Sequence, residues 1–351
     1  MGNAARENTG SSWRWALAVQ RPRAVFLRLA EGEDRYTRNA PAGMWLTPPP
    51  GQAPRYLKPT NDAVFKQLFG RAEYPELLAF VLETLGVVAA PVGALQFMNP
   101  ASGGEEATAK VAVVDASVLQ SDGSEIVVEM QNFGSRTFRQ RIVFYIARRH
   151  SLRVKKAQPY EAVRSTRLLA FLGYDEFPED GRVLRCFQLR DVETGELFDD
   201  SLTVYVCELG KYLRQRKAGD GRTIEEFSSN VASVLSFLSA EDEATFEAAA
   251  AQHPILMNAA RRLQSISMDH ELRERAFMAA CDAANAKHER EQDIAEAEQR
   301  GEALGRREER ARGVKALAEE RTRTARALLA LGHAREQVEA VIGVSLASLG
   351  L

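Results

Sequence analysis

The residues with the clearest chemical potential are two carboxylates and an amide on two neighbouring strand-like segments. Residues 111–119 and 125–131 are short, rich in β-branched side chains, and separated by a turn-forming Ser-Asp-Gly-Ser sequence, which predicts a β-hairpin. Asp115 lies in the first segment, and Glu129 and Gln131 lie in the second. Because side chains alternate between the two faces of a strand, Glu129 and Gln131 share a face. The chemistry then depends on how the two segments are aligned.

One alignment brings Asp115 and Glu129 together. If the loop consists of Ser121, Asp122 and Gly123, Asp115 lies directly opposite Glu129, and such opposed Cβ atoms are about 4.5–5.5 Å apart. Two carboxylates this close repel each other unless a cation lies between them, and Mg²⁺ favours one or two carboxylates together with water and phosphate oxygens. This alignment therefore predicts a metal site at Asp115 and Glu129.

Two alternatives remain open. A two-residue loop of Asp122 and Gly123 would place Met130 opposite Asp115 and send the carboxylates to opposite faces of the sheet. The carboxylates are also compatible with the solvent-facing side of an ordinary amphipathic hairpin. In the first alignment the other face is apolar, and we expect it to be buried against helices. That face consists of Val114, Ala116, Val118, Ile126, Val128 and Met130.

Helical and strand patterns surround the hairpin. Thr60 or Asn61 can cap a helix that Asp62 enters in its first turn. Helical pattern dominates from Glu225 onward. The further predicted elements are helices at Leu77–Leu85 and about Arg136–Arg153, and strands at Ser165–Leu172 and Leu202–Leu209.

The helix after the hairpin is strongly basic. Arg141 and Tyr145 lie four residues apart on one face, Arg148 lies a further turn along, and Arg149 follows it. A patch of this kind can hold a phosphate backbone, so these residues are predicted to bind DNA. The alternative is a solvated helix face.

Four regions are expected along the chain. Residues 1–55 are predicted to be a poorly structured leader, or an over-extended gene start with Met44 as the first residue. Residues 56–265 form the main domain, residues 266–326 a charged helical or coiled-coil segment, and residues 327–351 a small helical module. That module resembles a helix-turn-helix in outline or a simple packing unit, and the C-terminal helices are candidates for homo-oligomer contacts.

Composition excludes several classes of protein. The net charge is −2, so any nucleic-acid surface must come from local clustering. No apolar run has the length of a membrane span, no secretion signal is evident, and the three dispersed cysteines suit a reducing compartment, so we expect a cytoplasmic protein. The five histidines show no ligand or triad spacing, which argues against a serine or zinc hydrolase.

An ordered series of short motifs runs from about Tyr56 to the C-terminus. The motifs are Asn61–Gly70, Val114–Asp115, Glu129–Gln131, Arg141–Tyr145, Pro159–Glu161, Thr166–Phe171, Glu208–Tyr212 and Ala327–Gly332. In sequence, order and spacing, this series resembles the Rpn/YhgA-like recombination-promoting nucleases, and the combination makes the resemblance specific.

This resemblance implies an α/β fold of the PD-(D/E)XK restriction-endonuclease type, in which helices flank a mixed central sheet, here with a helical C-terminal extension. It implies metal-dependent cleavage of DNA in recombination or in transposase-like mobile-element biology. Asp115 and Glu129 would ligate Mg²⁺ or another divalent cation, and Gln131 would position the attacking water. Asp62 would contact the metal through a water, or serve only as a first-turn helix acid.

One departure from the wider superfamily concerns positive charge. The superfamily usually has a lysine where this sequence has Gln131, although the resembled family commonly has glutamine. Neither Lys66 nor Lys110 is an obvious replacement. The alternative function is therefore a catalytically inactive protein of the same fold that binds DNA or supports an assembly.

Overall fold

A mixed β-sheet flanked by helices forms the centre of the computed structural model, which describes residues 40–98, 101–102, 112–153, 159–219 and 227–351. The strands are β1 Gln96–Phe97, β2 Ala101–Ser102, β3 Ala112–Val113, β4 Ala116–Leu119, β5 Glu125–Gln131, β6 Thr166–Leu172, β7 Leu184–Arg190 and β8 Leu197–Glu208. The helices are α1 Asp62–Phe69, α2 Pro75–Thr84, α3 Phe138–Ser151, α4 Leu209–Ala218, α5 Ser229–Ser239, α6 Glu243–Ala250, α7 Pro254–Ser267, α8 His270–Ala330 and α9 Arg335–Ile342.

Six of these strands form the central sheet, in the order β1-β4-β5-β6-β8-β7. Strand β4 is antiparallel to both β1 and β5. Strands β5, β6 and β8 run parallel to one another, and β7 is antiparallel to β8. Strands β2 and β3 form a separate pair. The predicted mixed sheet flanked by helices is therefore confirmed.

The β4–β5 hairpin has the alignment that brings the two carboxylates together. Ala116 pairs with Val128 and Leu119 pairs with Glu125, so the three-residue loop is correct and the two-residue alternative is wrong. Gly123 has a φ of +83°, which a glycine adopts without the steric cost that a Cβ would add. The first strand is shorter than predicted, because the chain bends at Asp115 before β4 begins.

The bend places one apolar residue on the opposite face of the sheet from the one predicted. Ala116, Val118 and the even-numbered residues of β5 pack in one core cluster, as expected. Val114 was predicted to share that face, but it packs with Val127 in the cluster on the opposite face of the sheet. The reason is that the strand alternation is interrupted between Val114 and Ala116, so the period-two rule does not carry across the bend.

Both faces of the sheet are covered. Helix α1 buries Val64, Phe65, Leu68 and Phe69 in the larger cluster, together with residues from α2 and the helices α5 to α8. On the other face α3 contributes Phe138, Ile142 and Ile146, which pack against β5, β6 and β8. Each such side chain contributes about 1.5–3 kcal/mol when it is fully buried. Packing of α3 therefore stabilises the hairpin on the face opposite the larger cluster.

The prediction of a poorly structured leader through residue 55 requires correction. Residues 1–39 lie outside the described residues, as does Lys110. Met44 and Leu46 are fully buried, and Trp45 forms a β-bridge with Leu57. Order therefore begins before Tyr56, because this segment fills part of the main core.

Helix α8 is the charged segment predicted after residue 265, and it spans 61 residues. Its first turns bury Leu272, Ala276 and Ala280 in the main core. Near its other end, Ala325 packs with residues of α9 and the C-terminal turn in a small separate cluster. No helix in the described part of the chain is both long enough and apolar enough to cross a membrane.

Helix α3 is attached to the sheet by a buried ion pair. Arg149 is 4% exposed, and its Nε donates to Glu125 Oε1 at 2.6 Å. Its terminal nitrogen donates to Ser117 Oγ at 2.6 Å, and Arg153 lies 3.5 Å from the same carboxylate. The prediction that Arg149 binds DNA is therefore corrected, because helical periodicity turns this arginine inward, away from Arg148.

We expect Arg149→Ala to lower the free energy of unfolding by about 3–5 kcal/mol, because it leaves the Glu125 carboxylate buried without its main partner. Urea unfolding measures this loss. The matched control is Arg148→Ala on the same turn, where the half-buried side chain has no ion-pair partner within the described residues. If both variants unfold at the same urea concentration, Arg149 is not the attachment point of α3.

Candidate active site

The hairpin brings the two predicted acidic ligands side by side beneath the protein surface. Asp115 is 6% exposed and Glu129 is 3% exposed. Asp115 accepts a hydrogen bond from the backbone N–H of Met130 through Oδ2 at 2.7 Å. This bond fixes the Asp115 carboxylate at the edge of β5, beside Glu129.

Glu129 is only partly satisfied by its surroundings. Its Oε2 accepts a long contact of 3.5 Å from the side-chain amide of Gln131. Its Oε1 is buried and has no hydrogen-bond partner among the described residues. A buried acceptor without a donor is costly, unless the position normally receives a cation or a water molecule.

The electrostatics of the two carboxylates reflect this burial. Burial, together with the neighbouring Asp115 charge, raises the pKa of Glu129 to about 8, although the positive charge of Arg141 opposes the shift. Burial also raises the pKa of Asp115 to about 6, against the lowering effect of the Met130 hydrogen bond. The pair therefore resists carrying two negative charges unless a positive charge accompanies them.

Lys66 reaches this site from α1, which the sequence did not indicate. Its Nζ lies 2.7 Å from Asp62 Oδ2 and 3.3 Å from Asp115 Oδ1. Burial lowers the pKa of Lys66, but its hydrogen bond with Asp62 and the charge of Asp115 outweigh this effect and raise the pKa. Lys66 therefore brings positive charge to Asp115, although the sequence did not make it an obvious replacement for the superfamily lysine.

Asp62, predicted as a water-mediated metal contact or a helix-end acid, is the ion-pair partner of Lys66 on the first turn of α1. No sequence signal beyond the four-residue spacing of Asp62 and Lys66 pointed to this pairing. The spacing is common on exposed helices, where it carries no functional information.

Arg141 lies inside the site instead of on an outer DNA-binding face. Its guanidinium donates to Gln131 Oε1 at 2.5 Å. This bond determines which end of the Gln131 amide faces α3, and leaves the NH₂ end toward Glu129. Gln131 is thus held between an arginine and a carboxylate.

The rest of the basic patch divides into different roles. Tyr145 is half-buried and packs against the apolar cluster beneath α3. Arg148 is half-buried, and its Nε has no hydrogen-bond partner within the described ranges. Arg139 pairs with Glu176 at 2.7 Å, and Arg136 lies 3.9 Å from Asp293 of α8. Of the predicted DNA-binding arginines, Arg148 is the one for which the described residues provide no side-chain hydrogen bond or ion pair.

A cleft of about 580 Å³ opens beside the site. Asp62, Gln131 and Arg141 line one side, and small residues of α8 between Ala279 and Ala286 line the other. One turn further along α8, Arg290 lies over the ring of Tyr174 at 5.6 Å. No pattern in the charged segment indicated that this helix forms a wall of the cleft.

The donor set is compatible with a hard divalent cation. Two adjacent carboxylates face each other, and one carboxylate oxygen has no other partner. No group of three or more His, Cys, Asp or Glu residues suited to a metal occurs in the described part of the chain. A site built from one or two carboxylates suits Mg²⁺, which keeps several waters and shares substrate phosphate oxygens.

The comparison with known families agrees with this geometry. A family model described as PD-(D/E)XK nuclease family transposase matches residues 59–297. The chain belongs to this family. The matched PD-(D/E)XK region contains the hairpin, α1, α3 and the part of α8 that lines the cleft. Neither the curated proteins nor the solved structures contain a match.

The raised pKa of Glu129 predicts a stability that falls with pH in metal-free protein. Between the unfolded pKa near 4.5 and the folded value of about 8, the folded state keeps a proton that the unfolded state releases. Raising the pH from 5 to 8 therefore destabilises the parent. Glu129→Gln does not titrate, so we expect its stability relative to the parent to rise over this interval by on the order of 1–3 kcal/mol.

Urea unfolding in EDTA at pH 5 and pH 8 measures this change. The exposed Glu193 provides the control variant Glu193→Gln. A Glu129→Gln protein whose stability follows the parent at both pH values would show that Glu129 ionises normally.

Proposed function

We propose that this protein is a Mg²⁺-dependent DNA endonuclease that acts in DNA recombination or in the movement of mobile elements. The observation that carries the proposal is the buried Asp115–Glu129 pair, with an unpartnered carboxylate oxygen and two cationic side chains beside it, next to a cleft that Gln131 and Arg141 line. The nuclease family supports the reaction class.

The reaction proposed is hydrolysis of a phosphodiester. The oxygen of a water molecule forms a bond to phosphorus, one P–O ester bond breaks, the water releases a proton, and the departing oxygen gains one. Asp115 and Glu129 would hold Mg²⁺. When bound, the cation lowers the pKa of water and stabilises charge on the phosphate.

Gln131 is suited to orienting the water. Its Oε1 accepts from Arg141, and an amide oxygen has a second lone pair that can accept a hydrogen from water. The Arg141 bond keeps the amide in one orientation, so that lone pair is presented consistently. Arg141 therefore acts through Gln131, and Arg148 and Tyr145 remain proposed contacts to the DNA backbone.

The free cysteines and the exposed apolar residues of α8 support a proposed cellular location and assembly. All three cysteines are free, which suits the reducing cytoplasm. Several apolar residues of α8 are exposed, and helix pairing between two copies would cover them, which supports a homo-oligomer through the C-terminal helices. These residues are Ile294, Leu304, Val314 and Leu317.

We expect Asp115→Asn to reduce cleavage by at least about 100-fold, because it removes a metal ligand. The asparagine retains an oxygen that can accept from Met130, so the bend should persist. The measurement is nicking of supercoiled plasmid across a Mg²⁺ titration, beside a thermal melt. Exposed Asp200 supplies the control, Asp200→Asn.

Two results would contradict the proposal. If Asp115→Asn nicks the plasmid as fast as the parent, the catalytic centre lies elsewhere. If the parent binds DNA but cuts nothing with Mg²⁺ or Mn²⁺, the protein is a non-catalytic DNA-binding member of its family.

A further inference from the structure

One positive charge reaches the carboxylate pair from α1. Lys66 Nζ lies 3.3 Å from Asp115 Oδ1, and the Lys66 side chain remains 41% exposed. Its ammonium therefore faces both the buried acid and the solvent from which a substrate arrives. Among the described residues Arg141 also acts on Glu129 by its charge, but its guanidinium is hydrogen-bonded to Gln131.

The position of Lys66 is fixed by the packing of α1. Asn61 caps the helix by accepting from Ala63 N at 3.1 Å and donates its amide to the Ala276 carbonyl at 2.9 Å. At the other end of the helix, a Cβ added to Gly70 would lie 3.0 Å from the Asp115 carbonyl oxygen. Helix α1 thus contacts the Asp115 bend directly, so the distance from Lys66 to Asp115 is set by the fold.

Asp62 restrains the ammonium from the opposite side. The two residues are four apart on α1, and their charged atoms are 2.7 Å apart. An exposed pair of this kind contributes little to stability. Its clearest effect here is orientation, because it holds a flexible lysine beside Asp115.

Phosphodiester hydrolysis increases the negative charge on the phosphate oxygens, and a fixed cation stabilises that charge most effectively where water is partly excluded. Gln131 is neutral and cannot supply it. We propose that Lys66 is a catalytic residue whose ammonium contacts the scissile phosphate, and that Asp62 is its positioning residue. This inference rests on the proposed function and names the cation which that function needs.

A purely structural role for Lys66 makes a different prediction about metal binding. If the ammonium only neutralises Asp115, removing it leaves the bend less stable and should weaken metal binding. If the ammonium is a catalytic cation beside the metal ligands, it repels the metal. Its removal should then tighten Mn²⁺ binding while it slows cleavage, and these two effects have opposite signs.

The test compares the parent with Lys66→Gln, the double variant Lys66→Gln/Gln131→Lys, and the control Lys217→Gln, whose lysine is exposed on α4. Plasmid nicking, Mn²⁺ titration calorimetry without DNA and a thermal melt are measured for each. We expect Lys66→Gln to cut about 100-fold more slowly and to bind Mn²⁺ at least about threefold more tightly. The double variant should regain at least about tenfold in rate, because the cation is restored from β5.

Asp62→Asn tests the positioning role. We expect it to slow cleavage by about tenfold in the parent and to have no further effect in Lys66→Gln, because its role depends on the lysine. An equal effect of Asp62→Asn in both backgrounds would overturn the positioning role.

The outcomes separate this inference from the proposed function. If the parent cuts DNA and Lys66→Gln cuts at the same rate, Lys66 is not catalytic, although the nuclease assignment stands. Slower cleavage by Lys66→Gln with weaker Mn²⁺ binding assigns Lys66 to the structure of the site and also overturns the inference. If the parent itself cuts nothing, the proposed function fails and the inference fails with it.

Discussion

The hydrogen bond from the Met130 backbone to the Asp115 carboxylate governs the geometry of the site. It takes the place of a ladder bond at the point where the first strand of the hairpin is interrupted. The side chain that makes it is thereby immobilised next to Glu129, and the residues on its two sides enter different cores. One contact between a side chain and the backbone therefore sets both the strand boundary and the separation of the acids.

Burial of two acids beside each other has an energetic cost that the surrounding charges only partly offset. Lys66 and Arg141 approach from helices on opposite sides of the sheet, and each lowers the pKa of Glu129 by its positive charge. The two cations do not fully offset the cost of burying both acids, because the pKa of Glu129 stays raised. Such perturbed groups are common where a protein binds a ligand. A buried carboxylate elsewhere in the described structure is better satisfied. Glu208 accepts from two backbone N–H groups and from Lys211.

Local alternation and turn chemistry predicted a hairpin and reduced its alignment to two possibilities, between which the pairing of Ala116 with Val128 decides. The shared face of Glu129 and Gln131 followed from strand geometry alone. Features that depend on distant packing were not predictable in this way. The approach of Lys66 to Asp115, the inward turn of Arg149 and the burial of Met44 each involve partners far apart in the chain. Neighbouring arginines such as Arg148 and Arg149 look equivalent in sequence. The helix points them in different directions, so that Arg149 pairs with the buried Glu125 and Arg148 does not.

The long helix has a geometric consequence for the reach of the molecule. It lines the cleft as far as Ala286 and continues without a break to Ala330. At 1.5 Å per residue this outer part is about 66 Å long, and the small cluster around Val338 is packed at its tip. That length corresponds to about 20 base pairs of duplex at 3.4 Å each. Under the proposed function, a DNA contact made at the tip would therefore lie up to about two turns of duplex away from the cleft.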